Sequence, residues 1–270
     1  MSESASTAGR PPIAAVEKLG WLVLSALLLA VLAGALTFDR TGRPSLVGDE
    51  ATYAMQAASL AHDVDFAYTR ADYDRFVAEW GGPPDGLILQ TRDGGRHLTY
   101  GKPVPYALFA APFARFAPVR GPLVANALAL ALAALLAARA LRRRIGPAGP
   151  LWVAVFVFAS VSFAYAFWVH ADLFLFSCVA AGYALASAGE RARSEPPPEI
   201  YEDERAAPAG PLVWRFLAAG ALVSVAGAYR PFYLALLVPL ALAVPVKKRA
   251  AGLAGLILGA LLLLVGTGAI

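Results

Sequence analysis

Asp49 and Glu50 follow Gly48 shortly after the first apolar block of the chain, at the head of the run Ala51 to His62. A carboxylate in that place has two physical uses. It can cap the helix that follows, satisfying an orphan N–H for about 1 kcal/mol. It can also stand ionised at the helix's positive end and take a proton from an incoming hydroxyl. The spacing fits both uses for Asp49, and Glu50 is either a second acid or a favourable first-turn charge. Further along, Lys102 precedes Pro103, His170 and Asp172 stand at the junction of two apolar blocks, and Arg230 precedes Pro231. Taken singly, each of the last three is also what an ordinary interfacial residue looks like, and an ionisable group near a span signals function only when it faces the protein interior. Their joint placement is the stronger sign. Once the spans are oriented, Asp49, Lys102, Asp172 and Arg230 come out at one membrane face.

The elements that must position these residues are helices in a membrane. Of the 270 residues, 59% are hydrophobic and 16% charged, more apolar than a soluble domain requires. The apolar residues come in blocks of about twenty, the length a helix needs to cross about 30 Å of hydrocarbon. The sequence predicts about seven spans, at 19–38, 121–141, 150–169, 171–189, 212–229, 232–246 and 250–270. The first is too long for a cleaved signal segment and is read as retained. The net charge of +4 does not point to nucleic acid, because the cations gather where helices leave the membrane. Cys178, the single cysteine, falls inside a span and forms no internal disulfide.

Arginine and lysine orient the spans. Arg139, Arg142, Arg143 and Arg144 mark one short loop, Lys247, Lys248 and Arg249 another, and Arg191, Arg193 and Arg205 a third. Placing these inside with Arg10, Lys18 and a cytoplasmic tail 1–18 puts segment 39–103 outside, provided 104–118 does not cross. Fifteen residues reach only about 22 Å, and Pro105, Pro112 and Arg115 interrupt them, so a juxtamembrane helix is expected; a short true span, the alternative, would put the arginines outside. The extracytoplasmic loop, 39–120 with its juxtamembrane helices, carries a short helix with Tyr53, Gln56 and Leu60 spaced around Asp49. A second helix is expected at 71–80, and a small hairpin of 87–91 against 97–100. Segment 190–211, with Pro196, Pro197 and Pro198 followed by Glu199, Glu202, Asp203 and Glu204, reads as a disordered cytoplasmic linker. There is no internal repeat.

This pattern resembles the GT-C fold membrane glycosyltransferases, in particular the protein mannosyltransferase and aminoarabinose-transferase branch. The resemblance rests on GDEATYAMQAASLAHDVDF from Gly48 after a first span, YGKPVPYALFAAP from Tyr100, the outer-face Asp172 after a later span, and Tyr229-Arg230-Pro231. It implies an all-α integral membrane module over 19–270, transferring a sugar from a polyprenyl-phosphate-linked donor to a glycan, lipid or protein acceptor. The reaction would take place on the extracytoplasmic face of the cell inner (plasma) membrane, with the N-terminus cytoplasmic. It implies Asp49 as base or acceptor-positioning acid with Glu50 beside it, and Lys102 and Arg230 as ligands of the lipid phosphate. Tyr53, His97 and Asp172 would be further substrate contacts. The sequence departs from the pattern at Val104, where many relatives have proline, and at Arg230, where several have lysine. Relatives also continue with further spans, so the chain is read as the N-terminal part.

The implied reaction is displacement at the anomeric carbon with a lipid phosphate leaving, which needs a base at the acceptor and cations at the phosphate. No cofactor is required by the sequence. A divalent metal, which some relatives use, has no dense ligand cluster calling for it. The alternative is a non-catalytic transporter or a binding scaffold for lipid-linked saccharide. Transporters tend to have matched halves and charges at mid-bilayer, whereas here the charges lie at one face. A purely structural membrane subunit leaves the patterned outer loop unexplained.

Overall fold

The computed structural model describes residues 13–38, 46–91, 93–187, 210–244 and 249–266. Residues 1–12 of the expected tail and 190–209 of the expected linker lie outside these, as do Arg92, Lys247 and Lys248. The described chain is a bundle of helices. Helix α1 (Ile13–Thr37) and α5 (Gly121–Ile145) are each 25 residues, about 37 Å of helix. These two are long and apolar enough to cross a membrane. Between them lie α2 (Asp49–His62), α3 (Arg70–Trp80), the antiparallel pair β1 (Leu89–Gln90) and β2 (Thr99–Tyr100), and α4 (Val104–Phe116). After α5 come α6 (Gly149–Ala159), α7 (Ala171–Ser187), α8 (Gly210–Tyr229), α9 (Leu237–Leu242) and α10 (Arg249–Gly266).

Two expected spans are not continuous helices. The one drawn over 150–169 stops at Ser160, which is extended, and restarts as a 3-10 helix over Val161–Phe167, bent by 65°. The Ser160 hydroxyl donates to Val157 O at 3.2 Å and accepts from the Ser162 N–H at 3.3 Å, the local competition by which serine breaks a helix. The one drawn over 232–246 is a 3-10 helix, Pro231–Leu236, leading into α9, with Pro231 and Pro239 removing two donors. The elements between α1 and α4 are as expected in kind: α3 carries a capping box of Thr69 and Asp72, and the hairpin pairs Leu89 with Tyr100.

Helix α5 is central and packs on α1, α4, α6 and α7. Alanine makes this possible, since Ala125, Ala127, Ala129, Ala133, Ala134 and Ala138 are all buried on it. Helices α8 and α10 approach more closely still. A Cβ on Gly220 would lie 2.2 Å from Leu256 O, and one on Gly259 would lie 2.0 Å from Leu217 O, the close backbone approach that small residues allow between membrane helices.

Candidate functional site

The end of the bundle at which α2 meets α4 and α7 holds the site. Gly48, not Asp49, is the N-cap of α2: at φ 62° and ψ −120° it occupies a backbone region suited to glycine. Its N–H donates to Asp85 O at 2.8 Å, and its carbonyl accepts the Thr52 hydroxyl at 2.8 Å. The expectation that Asp49 caps this helix is therefore corrected. Asp49 is the first helical residue, one place past the cap. It meets Lys102 instead, Oδ1 to Nζ at 2.7 Å, and His170, Oδ2 to Nε2 at 3.2 Å.

Each partner is held by its own frame. The Lys102 carbonyl accepts from Gln56 Nε2 at 2.9 Å, and its ammonium lies 5.3 Å from the Tyr53 ring centroid, within cation–π range. His170 is buried between rings, edge-on to Tyr53 at 5.4 Å and tilted on Trp168 at 5.0 Å. The backbone on which it rides is pinned from both sides. Asn126 Nδ2 donates to Trp168 O at 2.9 Å, and Glu50 Oε1 accepts the Val169 N–H at 3.3 Å. On its far side His170 Nδ1 stands 3.3 Å from Asp172 Oδ2, so one imidazole separates two carboxylates. The Tyr229 hydroxyl donates to Pro103 O and accepts the Tyr106 N–H, both at 2.9 Å. This ties the end of α8, and with it Arg230, to the Lys102-Pro103 turn.

Burial pushes the Asp49 carboxyl up, but the hydrogen bonds and charges of Lys102 and His170 outweigh it and hold the group below its ordinary value. Burial also drives the Tyr53 phenol well up, helped by Asp49 and Asp172 and opposed by Arg230. Tyr53 is thus a neutral wall that senses all three charges. Arg230 itself is exposed. Below Asp172, a cavity of about 350 Å³ runs between α7, α8 and the two 3-10 helices, lined by Leu173, Phe176, Val179, Tyr165, Tyr233 and Leu236. It is mostly apolar, with the Asp172 carboxylate and the Ser162 hydroxyl in its lining.

Of the residues singled out in the sequence, Asp49, Tyr53, Lys102 and Asp172 come together around His170. Glu50 supports the same segment, and Arg230 stands at its edge. His97 sits apart, on the exposed hairpin, paired with Asp93. Sequence reasoning assigned no role to His170 beyond a shared depth, gave Tyr229 only a place in the Tyr229-Arg230-Pro231 motif, and missed Asn126. The usable signal was polarity inside apolar helices, since a buried amide or phenol must find a partner. Among the described residues, no three His, Cys, Asp or Glu side chains converge on a metal position; Asp49 Oδ1 is taken by Lys102.

No protein-family model and no curated protein matches the chain. Its structure is similar to the crystal structure of ArnT from Cupriavidus metallidurans bound to undecaprenyl phosphate. The likeness covers 92% of this chain at a TM-score of 0.56 and 17% identity. The fold is GT-C-like. At that identity the likeness carries the architecture alone, and the chain spans 42% of the length of ArnT.

Proposed function

We propose that this chain carries the outer-face site of a membrane glycosyltransferase that uses a polyprenyl-phosphate-linked sugar. The observation that carries the reading is the Asp49–Lys102 pair, backed by His170 and set beside an apolar cavity that ends at Asp172, in a fold shared with a protein whose structure holds undecaprenyl phosphate. A polyprenyl phosphate has the same division, one anionic head and a long hydrocarbon. In the reaction Asp49 takes the proton of an acceptor hydroxyl as the new bond to the anomeric carbon forms. The old bond to phosphate oxygen breaks, and its electron pair leaves on the phosphate. Lys102 keeps two further N–H donors for that phosphate while it pairs with Asp49, and Arg230 offers a planar fork. His170 and Glu50 position Asp49 and the segment beneath it.

The test is transfer of radiolabelled sugar from a polyprenyl-phosphate donor in reconstituted membranes, together with donor binding. Lys102→Ala and Arg230→Ala are expected to weaken donor binding, each by about tenfold or more, as charge-assisted bonds to phosphate are lost. Arg230→Lys should be milder, because the charge survives though the fork does not. Parent-like binding by both alanine variants would reduce these cations to interfacial anchors and sink their lipid-phosphate role.

The same reading places the helices as seven spans of an inner (plasma) membrane protein with the N-terminus cytoplasmic. Helix α4, with 13 residues or about 20 Å, then lies along the outer surface. Cysteines introduced at Asp85 and Ile145, both exposed, should label with an impermeant reagent in sealed cells only at 85. The native Cys178 is buried and stays silent. Equal labelling at both positions would overturn the topology.

A further inference from the structure

The cavity beside Asp172 does not continue between α7 and α8. Three residues past Val179 the two helices close on each other: a Cβ on Gly182 would lie 3.1 Å from Ala219 O and 3.0 Å from a methyl of Val223. Space for a longer chain lies on the other side, toward α6. A slot of about 500 Å³ runs there along α5, floored by Leu130, Ala133, Ala134, Ala137, Leu141 and Ile145 and walled by α6 and α7. Phe176 of α7 lines both spaces. Its ring stacks on Phe156 of the slot wall, centroids 6.2 Å apart, so one side chain forms the partition. The bend at Ser160 marks the same boundary, since Tyr165 beyond it lines the cavity and Val157 before it lines the slot.

Length identifies the occupant. Asn126 of α5, whose amide holds Trp168 O beside His170 at 2.9 Å, stands 19 residues from Ile145, about 28 Å of helix. Cavity and slot together therefore follow nearly the whole of about 30 Å of hydrocarbon. An acyl chain of a phospholipid reaches only the half that its own leaflet fills. A polyprenyl chain is longer, each unit adding four carbon–carbon bonds or about 5 Å of extended chain. From Asp172 to Val179 is seven residues, about 10 Å, which takes two units. The remainder must go on past Phe176 or out sideways into lipid. The alanines of the slot floor leave room for methyl branches. Trp152 and Phe156, each more than half exposed, leave the slot open along its side, so a chain can lie down in it without threading.

We propose that cavity and slot form one path for the tail of a polyprenyl phosphate, the first units beside Asp172 and the later ones in the slot past Phe176. The path presupposes the polyprenyl-phosphate donor proposed above and adds a site that reads tail length. Binding of tritiated undecaprenyl phosphate and of geranyl phosphate, which has only two prenyl units, to the full chain in nanodiscs tests it. Ala137→Leu, at a half-buried position of the slot floor, should weaken undecaprenyl phosphate about fivefold, the scale of packing gains inside a membrane, and leave geranyl phosphate unchanged. Val179→Phe, which fills the cavity itself, should weaken both. A melting temperature equal to that of the parent shows each variant folded; Ala180→Leu, in the slot wall, replaces Ala137→Leu if that one is unfolded. Undecaprenyl phosphate binding untouched by the slot variant would leave the tail in the bilayer and overturn the path. Equal weakening of both lipids by that variant would overturn it too, as would a dimer that dissociates on Ala137→Leu and so marks a second copy as the occupant of the slot. Failure of the parent to bind either lipid would instead overturn the donor reading, and the path with it.

Discussion

Asp49→Asn is expected to lower sugar transfer by about 10²–10⁴-fold, the usual contribution of a positioned general base, while the protein stays folded. Asparagine preserves the shape and can still hydrogen-bond to Lys102 and His170, but an amide takes no proton at neutral pH. No cap is lost, since Gly48 fills that role. The Asp49 side chain is 39% exposed, so solvent screens its ion pair and the change in stability should stay under about 1 kcal/mol. Transfer rate measured beside melting temperature separates the two effects. Near-parent transfer would leave Asp49 as a structural partner of Lys102 and move the search for a base to Glu50 and Asp172.

The same residue fixes a sign for pH. Its folded value lies below the ordinary carboxylate value, held there against burial by Lys102 and His170. The ionised base, and any stability from its pairing, is therefore fully present above the ordinary value and lost as pH falls through the depressed one. Lys102→Ala removes a lowering influence, so the acid limb of the remaining transfer activity should move to higher pH. An acid limb that stays in place would mean that another group controls it.

The sequence showed the cluster around Asp49 in one dimension. Charge and block length placed Asp49, Lys102, Asp172 and Arg230 at one depth, because crossing a membrane converts chain position into height. It did not show which of them face each other. Facing depends on how helices pack around α5, and that is set by buried alanines which carry little individual signal. His170 illustrates the limit. Its neighbours in sequence are a valine and an alanine, whereas what makes it notable is contact with Asp49, 121 residues away. The broken spans were hidden for a related reason. Periodicity and hydropathy are blind to a single Ser160 whose hydroxyl offers the backbone another partner. His97 shows the converse, a residue whose type suits chemistry but whose place on a hairpin tip gives it only Asp93.

Gly259→Ala is expected to be the most damaging single methyl in the described bundle, with a net loss of about 2 kcal/mol or more. The added Cβ would stand 2.0 Å from Leu217 O, and a backbone carbonyl within α8 cannot step aside without moving the helix. Overpacking of this kind costs about 1–3 kcal/mol where side chains can adjust, and here they cannot. The better helix propensity of alanine returns at most about 1 kcal/mol. Gly252→Ala, on the same helix, is the internal control. Its Cβ would approach a methyl of Val244 at 2.4 Å, and a side chain can turn away, so the propensity gain should roughly cancel the clash. Thermal unfolding of both variants in detergent decides the matter; equal melting temperatures would mean that α8 and α10 are not held at this spacing. The consequence reaches the site because α8 ends at Tyr229, whose hydroxyl bridges Pro103 and Tyr106. Pushing α8 off α10 strains that bridge and displaces Arg230, so donor affinity should fall with stability in Gly259→Ala and hold in Gly252→Ala.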